Sequence, residues 1–108
     1  MTKIGEGLGG GGGVNDYKSE LDVSSTKFLQ ALEDFNKSES GEEQEHLKAV
    51  MDQQMTVIQS ALREVHAQGL HKQANVVAKD YKEYREEQTQ ENYISLHNDV
   101  DTLRELNQ

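Results

Sequence analysis

Residues 42–70 read EEQEHLKAVMDQQMTVIQSALREVHAQGL, and the fold turns on how this stretch ends. Its apolar residues, Leu47, Val50, Met51, Met55, Val57, Ile58, Ala61, Leu62 and Val65, mostly recur every three or four positions. That period places them on one side of an α-helix. Gly69 follows about one turn later. Glycine enters the left-handed conformation without a Cβ clash and commonly sits just past a helix end. Gln68-Gly69-Leu70 therefore reads as a turn, with Leu70 folding back on the preceding helix as in a Schellman cap. Periodicity resumes at Ala74, Val77, Tyr81 and Tyr84. Two helices joined by so short a link pack antiparallel.

Upstream, Ser40 and Glu43 have the Ser-x-x-Glu spacing of a capping box. Glu42, Glu43 and Glu45 favour the positive end of a helix dipole. These signals predict a helix over about 41–68, preceded by a polar loop over 36–41. Before the loop, Val14, Leu21, Phe28 and Phe35 fall at seven-residue intervals, with Tyr17, Ser24, Ala31 and Leu32 between them. This is a short heptad seam. Asn15 or Asp16 offers its N-cap, which predicts a first helix over about 15–36. The low helix propensity of Ser24-Ser25-Thr26 leaves its first half prone to fraying.

Downstream, a third helix is expected over about 71–106. Residues 85–92 contain no apolar side chain. Over that gap the helix projects into solvent, kinks or breaks in two. Tyr93, Leu96, Val100 and Leu103 then resume the helical spacing. Residues 1–13, MTKIGEGLGGGGG, form a tail expected to be disordered, because glycine loses the most backbone entropy on ordering. The run passes into Val14-Asn15-Asp16, without the Lys-Ser/Thr end of a phosphate-binding loop. The expected fold is all-α: an antiparallel three-helix bundle or helical hairpin with a long third helix, formed by a single domain over 14–108.

The net charge is −9, from 20 acidic and 11 basic residues. That balance argues against nucleic-acid binding, which needs Lys and Arg to displace counterions, and allows a basic protein partner. Without cysteine there is neither a disulfide nor a thiolate metal site. No apolar run approaches the roughly 20 residues that cross a bilayer, so no membrane insertion is expected. The N-terminus lacks the charged-then-apolar pattern of a cleaved secretory signal. The localisation reads as cytoplasmic, or as exported without a cleaved signal peptide. Hydrophobic residues make up 33% of the chain, with no tryptophan. So thin a core favours a homo-oligomer, or docking on another protein, to bury the apolar stripes.

The four histidines, His46, His66, His71 and His97, include no pair four apart, the usual spacing for two metal ligands on one helix. His66 and His71 flank the expected turn and could approach each other there. Glu43 and His46 give one Glu-x-x-His, where a di-iron bundle needs two. No catalytic residue, cofactor or metal is expected, and the chain reads as non-enzymatic. Tyrosine couples a large apolar contact to a polar tip. Tyr81, Tyr84 and Tyr93, with Leu96, Val100 and Leu103 beyond the polar gap, are the candidate partner-binding residues.

Three functions fit. The first is a helical protein–protein interaction module. The second is a small component, substrate or chaperone of a bacterial secretion system. The third is an acidic inhibitor or immunity-type protein that covers a basic site with Glu83, Glu86, Glu87 and Glu91. In length and helix content the chain resembles the small secreted hairpins with a Trp-x-Gly turn. The matching place here reads Ala67-Gln68-Gly69, and Tyr93 is followed four residues later by His97 rather than an acid. It is similar in the same general way to the needle subunits of type III secretion, whose turn carries proline where this chain has none. No residue role carries over from either.

Overall fold

A computed structural model describes residues 16–63 and 65–107, all helix and short connections. The glycine-rich tail, Val14 of the heptad seam and the Asn15 cap lie outside the described residues. There are four helices: α1 (Asp16–Lys37), α2 (Gly41–Leu62), α3 (Gln68–Glu86) and α4 (Gln90–Leu106). α1 packs on α2 and α4, and α3 packs on α4 and α2. The diagonals have no close backbone approach. The result is an up-down-up-down bundle measuring 43 × 30 × 18 Å. No helix among the described residues is long and apolar enough to cross a membrane.

α1 matches its expected span to within one residue and runs through Ser24 and Ser25, both buried. Leu21, Phe28 and Phe35 point inward as the heptad requires. Ser40 caps α2, its side chain accepting from the Glu43 amide at 3.3 Å. The reciprocal half of the capping box is absent. The Ser40 amide instead donates to Ser38 Oγ at 3.2 Å.

Two expectations are corrected. α2 ends at Leu62, not near 68, and the connection to α3 runs over 63–67. It is closed by short-range bonds, Arg63 amide to Ser60 carbonyl at 3.2 Å and Val65 amide to Leu62 carbonyl at 3.1 Å. His71 Nε2 also hydrogen-bonds the Val65 carbonyl. Leu70 does not cap α2. It opens the inward stripe Leu70, Ala74, Val77, Tyr81 and Tyr84 of α3. Gly69 is accordingly the second residue of a helix, and a Cβ there would meet nothing within 4 Å. Gly69→Ala is therefore expected to stabilise the fold by about 0.5–1 kcal/mol. A urea midpoint that falls on this change would restore the left-handed turn.

The second correction makes a three-helix bundle into a four-helix one. The long third helix breaks over 87–89, because the polar run supplies its own caps. Gln88 Nε2 donates to the Tyr84 and Arg85 carbonyls at 3.0 and 2.7 Å, satisfying the end of α3. Thr89 accepts from the Asn92 amide at 3.1 Å and starts α4. Asn92 Nδ2 reaches back to the Glu87 carbonyl at 2.9 Å.

The core is one cluster fed by every helix. α2 contributes Leu47, Met51, Met55, Ile58 and Leu62, and α4 contributes Leu96, Val100 and Leu103. These three-and-four steps are the seam spacing of helices packed nearly parallel to one another. The methionine pair is core, not groove. Across the α1–α3 diagonal, Phe28 meets Tyr81 edge-on at 5.2 Å and Phe35 meets Tyr84 at 5.8 Å.

Candidate functional surface

The alternation of helix directions puts the α1–α2 and α3–α4 connections at the same end of the bundle. The Tyr84 hydroxyl, donating to Asn36 Oδ1 at 3.4 Å, ties the two C-terminal ends together there. This end collects acid. Asp34, Glu39, Glu42, Glu43 and Glu45 are exposed around the first connection, and Glu83, Glu86, Glu87 and Glu91 around the second. These nine carboxylates stand against four cations, Lys37, Lys48, Lys82 and Arg85. Lys48 pairs with Glu45 at 2.9 Å and lies over the Phe35 ring, and Arg85 pairs with Asp52 at 2.7 Å. A cleft of about 420 Å³ opens at this end, lined by Asp34, Lys37, Ser38, Glu43, His46 and Leu47. The opposite end is of mixed charge: Lys18, Arg63, Lys72 and Arg104 stand there with Glu20, Asp22, Asp101 and Glu105, and Arg104 lies beside Asp22 and Asp101.

Of the six candidate partner-binding residues, Tyr81, Tyr84, Leu96, Val100 and Leu103 lie within the chain's own core, and only Tyr93 is half-buried. The apolar segment past the polar gap packs inside its own chain because the break over 87–89 folds it back onto α3 and α1. Tyr93 continues an aromatic row, 6.2 Å from Tyr84 and 5.8 Å from His97. Five of these side chains belong to the one core cluster and Tyr93 packs against it, so they do not form a free face.

Polar groups stitch the helices together, and of them only Tyr81 was a candidate on sequence grounds. On the α2–α3 seam, Tyr81 donates to Asp52 Oδ1, and Arg85 donates to Asp52 and to the Tyr81 hydroxyl at 2.7 and 2.8 Å. The Arg85 guanidinium stacks 5.5 Å from the Tyr81 ring centre. Burial, then the bond to Asp52, pushes the Tyr81 phenol above its ordinary range, so it remains a neutral donor. Arg85 and Asp52 are about one-third and one-half exposed, which limits their ion pair to about 1 kcal/mol or less. On the α1–α4 seam, His97 Nε2 contacts Glu33 at 2.9 Å, and Asn107 Nδ2 donates to the Lys18 carbonyl at 2.9 Å. Tyr81 lies on the apolar stripe of α3, but Asp52, Arg85, Glu33, His97 and Asn107 sit on no apolar repeat, so periodicity gave no signal for them.

Among the described residues, no three His, Asp or Glu side chains gather as a metal would require. His71 Nε2 hydrogen-bonds the Val65 carbonyl and His97 Nε2 contacts Glu33. What the fold defines is an all-α protein of four helices with a group of exposed acids at the end that carries the α1–α2 and α3–α4 connections. Comparison with protein-family models, curated proteins and solved structures finds no match.

Proposed function

We propose that the chain is a non-enzymatic helical interaction module that docks on another protein, and that its acidic end meets a basic surface on that partner. The observation that carries this reading is the gathering of Glu83, Glu86, Glu87 and Glu91 beside the acids of the α1–α2 connection, all exposed. Like charges so placed repel one another. A field of one sign at one end of a molecule steers an oppositely charged partner and fixes its orientation. The candidate residues in α4 are already covered within the chain, which favours a different protein over a second copy as the partner.

A short oligolysine peptide is a direct probe. Added to isotope-labelled protein, it should shift the amide signals of residues 37–45 and 83–91 and leave those of 63–72 in place. Binding should weaken at least tenfold between about 0.01 M and about 0.15 M ionic strength, as the screening length contracts from about 30 Å to about 8 Å. Shifts spread evenly over the bundle, or affinity indifferent to salt, would remove the basis for the proposal.

A further inference from the structure

The three connections of the bundle are not built alike. Between α1 and α2, Ser40 accepts from the Glu43 amide, and its own amide donates to Ser38 Oγ. Between α3 and α4, Gln88 closes the outgoing helix and Thr89 opens the next. Between α2 and α3, residues 63–67 read REVHA, with no glycine, proline, asparagine, aspartate or serine to favour a turn. Ala67, at the N-cap of α3, makes no side-chain cap bond. The first turn of α3 carries no acid and the last turn of α2 no base. Arg63 keeps helical angles, φ −53° and ψ −40°, while Ala67 is extended at −110° and 96°. The chain therefore turns where its own residues favour helix, a conflict between local and global preference. His71 Nε2, bonded to the Val65 carbonyl, ties the connection to α3.

Of the neighbouring helix pairs, α2 and α3 make the fewest close backbone approaches. Most of the backbone packing lies within the two hairpins, α1–α2 and α3–α4. Hairpin meets hairpin through contacts that a second copy can supply unchanged, among them Phe28 on Tyr81, Phe35 on Tyr84 and Arg104 beside Asp22.

We propose that residues 63–67 are a hinge across which α2 and α3 fuse into one helix, and that two chains then exchange hairpins to form a swapped dimer. The α1–α2 hairpin of one copy packs on the α3–α4 hairpin of the other, so the inward side chains keep their surroundings. That reuse of existing contacts makes exchange of identical elements a low-cost route to a dimer. A fused helix over 41–86 is about 70 Å long at ~1.5 Å per residue, and in it the Val65 carbonyl accepts from the Gly69 amide in place of His71. The inference rests on the connection and not on the reading of the acidic end. Its consequence for that end is that the dimer presents two of them, each away from the hinge. Exchange passes through an opened chain, so monomer folded in dilute solution keeps its mass.

Refolding from urea at about 1 mM and at about 10 μM, with light scattering on the separated products, tests the hinge. The wild type should give a dimer in the concentrated sample and a monomer in the dilute one. Gln68→Pro discriminates. Gln68 is the first residue of α3 and follows the extended Ala67, a setting that proline accepts, so the monomer should fold with its Tm almost unchanged. Inside a fused helix the same proline removes a backbone bond and clashes with the preceding turn, so the dimer should fall at least about a hundredfold. Absence of dimer from the concentrated wild type, or as much dimer in Gln68→Pro, would overturn the proposal. Should Gln68→Pro fail to fold, Asp22→Cys chains and Arg104→Cys chains are refolded together at the higher concentration and treated with a short bis-maleimide. Cross-links between the two kinds of chain support the exchange, and a dimer without them refutes it.

Discussion

Phe28→Ala should lower the unfolding free energy by about 3–5 kcal/mol, enough to leave much of the protein unfolded at room temperature. Phe28 is fully buried and meets the Tyr81 ring edge-on at 5.2 Å, bridging α1 and α3 across the bundle. Each of those helices is held by its own hairpin partner, so neither can move in to fill the space of a lost ring. The cost is then the transfer of the ring plus the cavity it leaves. A domain of this size holds about 5–15 kcal/mol in total. With only 33% hydrophobic residues, this chain belongs at the low end of that range. Urea unfolding followed by circular dichroism reads the loss directly. The midpoint should drop while the slope stays near the wild-type value, because the same surface is exposed on unfolding. Val23→Ala on the same helix is the control, since Val23 is 47% exposed and truncating it should change stability by about 0.5 kcal/mol or less. A loss below about 1 kcal/mol for Phe28→Ala would mean that the diagonal contact is not part of the folded core.

The inward faces were legible in the sequence wherever apolar residues alone set the period. Leu21, Phe28 and Phe35 announce α1, and Leu47, Met51, Met55, Ile58 and Leu62 announce α2. The connections were harder, for two separate reasons. Gly69 carries the residue type of a helix end but sits where nothing requires its freedom, and the neighbouring Leu70 is claimed by the stripe of α3. At 85–92 the same polar side chains that thin the apolar stripe also cap the two helices they separate, through Gln88, Thr89 and Asn92. Side-chain capping of this kind reads as loop only when each amide is assigned to a particular carbonyl, which needs coordinates.

That turn decides what the last apolar segment does, and Leu96→Ala is the substitution that reads it. The expected cost is about 2–5 kcal/mol, with no change in native mass. Leu96, Val100 and Leu103 are each fully buried within a single chain. Truncating Leu96 therefore removes contacts inside the protomer, and the loss should be the same at any protein concentration. Had the segment faced a second copy, folding would be linked to association by mass action. The wild-type Tm would then rise with concentration, and Leu96→Ala would abolish that rise. Unfolding curves at two concentrations a decade apart, with light scattering on the same samples, separate the two cases. Coincident wild-type curves, a monomer mass and a lowered midpoint for Leu96→Ala place the segment in the core. Ile94, two residues earlier and 48% exposed, supplies the contrast, because Ile94→Ala should leave stability and mass almost unchanged. A concentration-dependent Tm carried by Leu96 would instead make the α4 face an interface between copies and remove the preference for a basic partner over self-association.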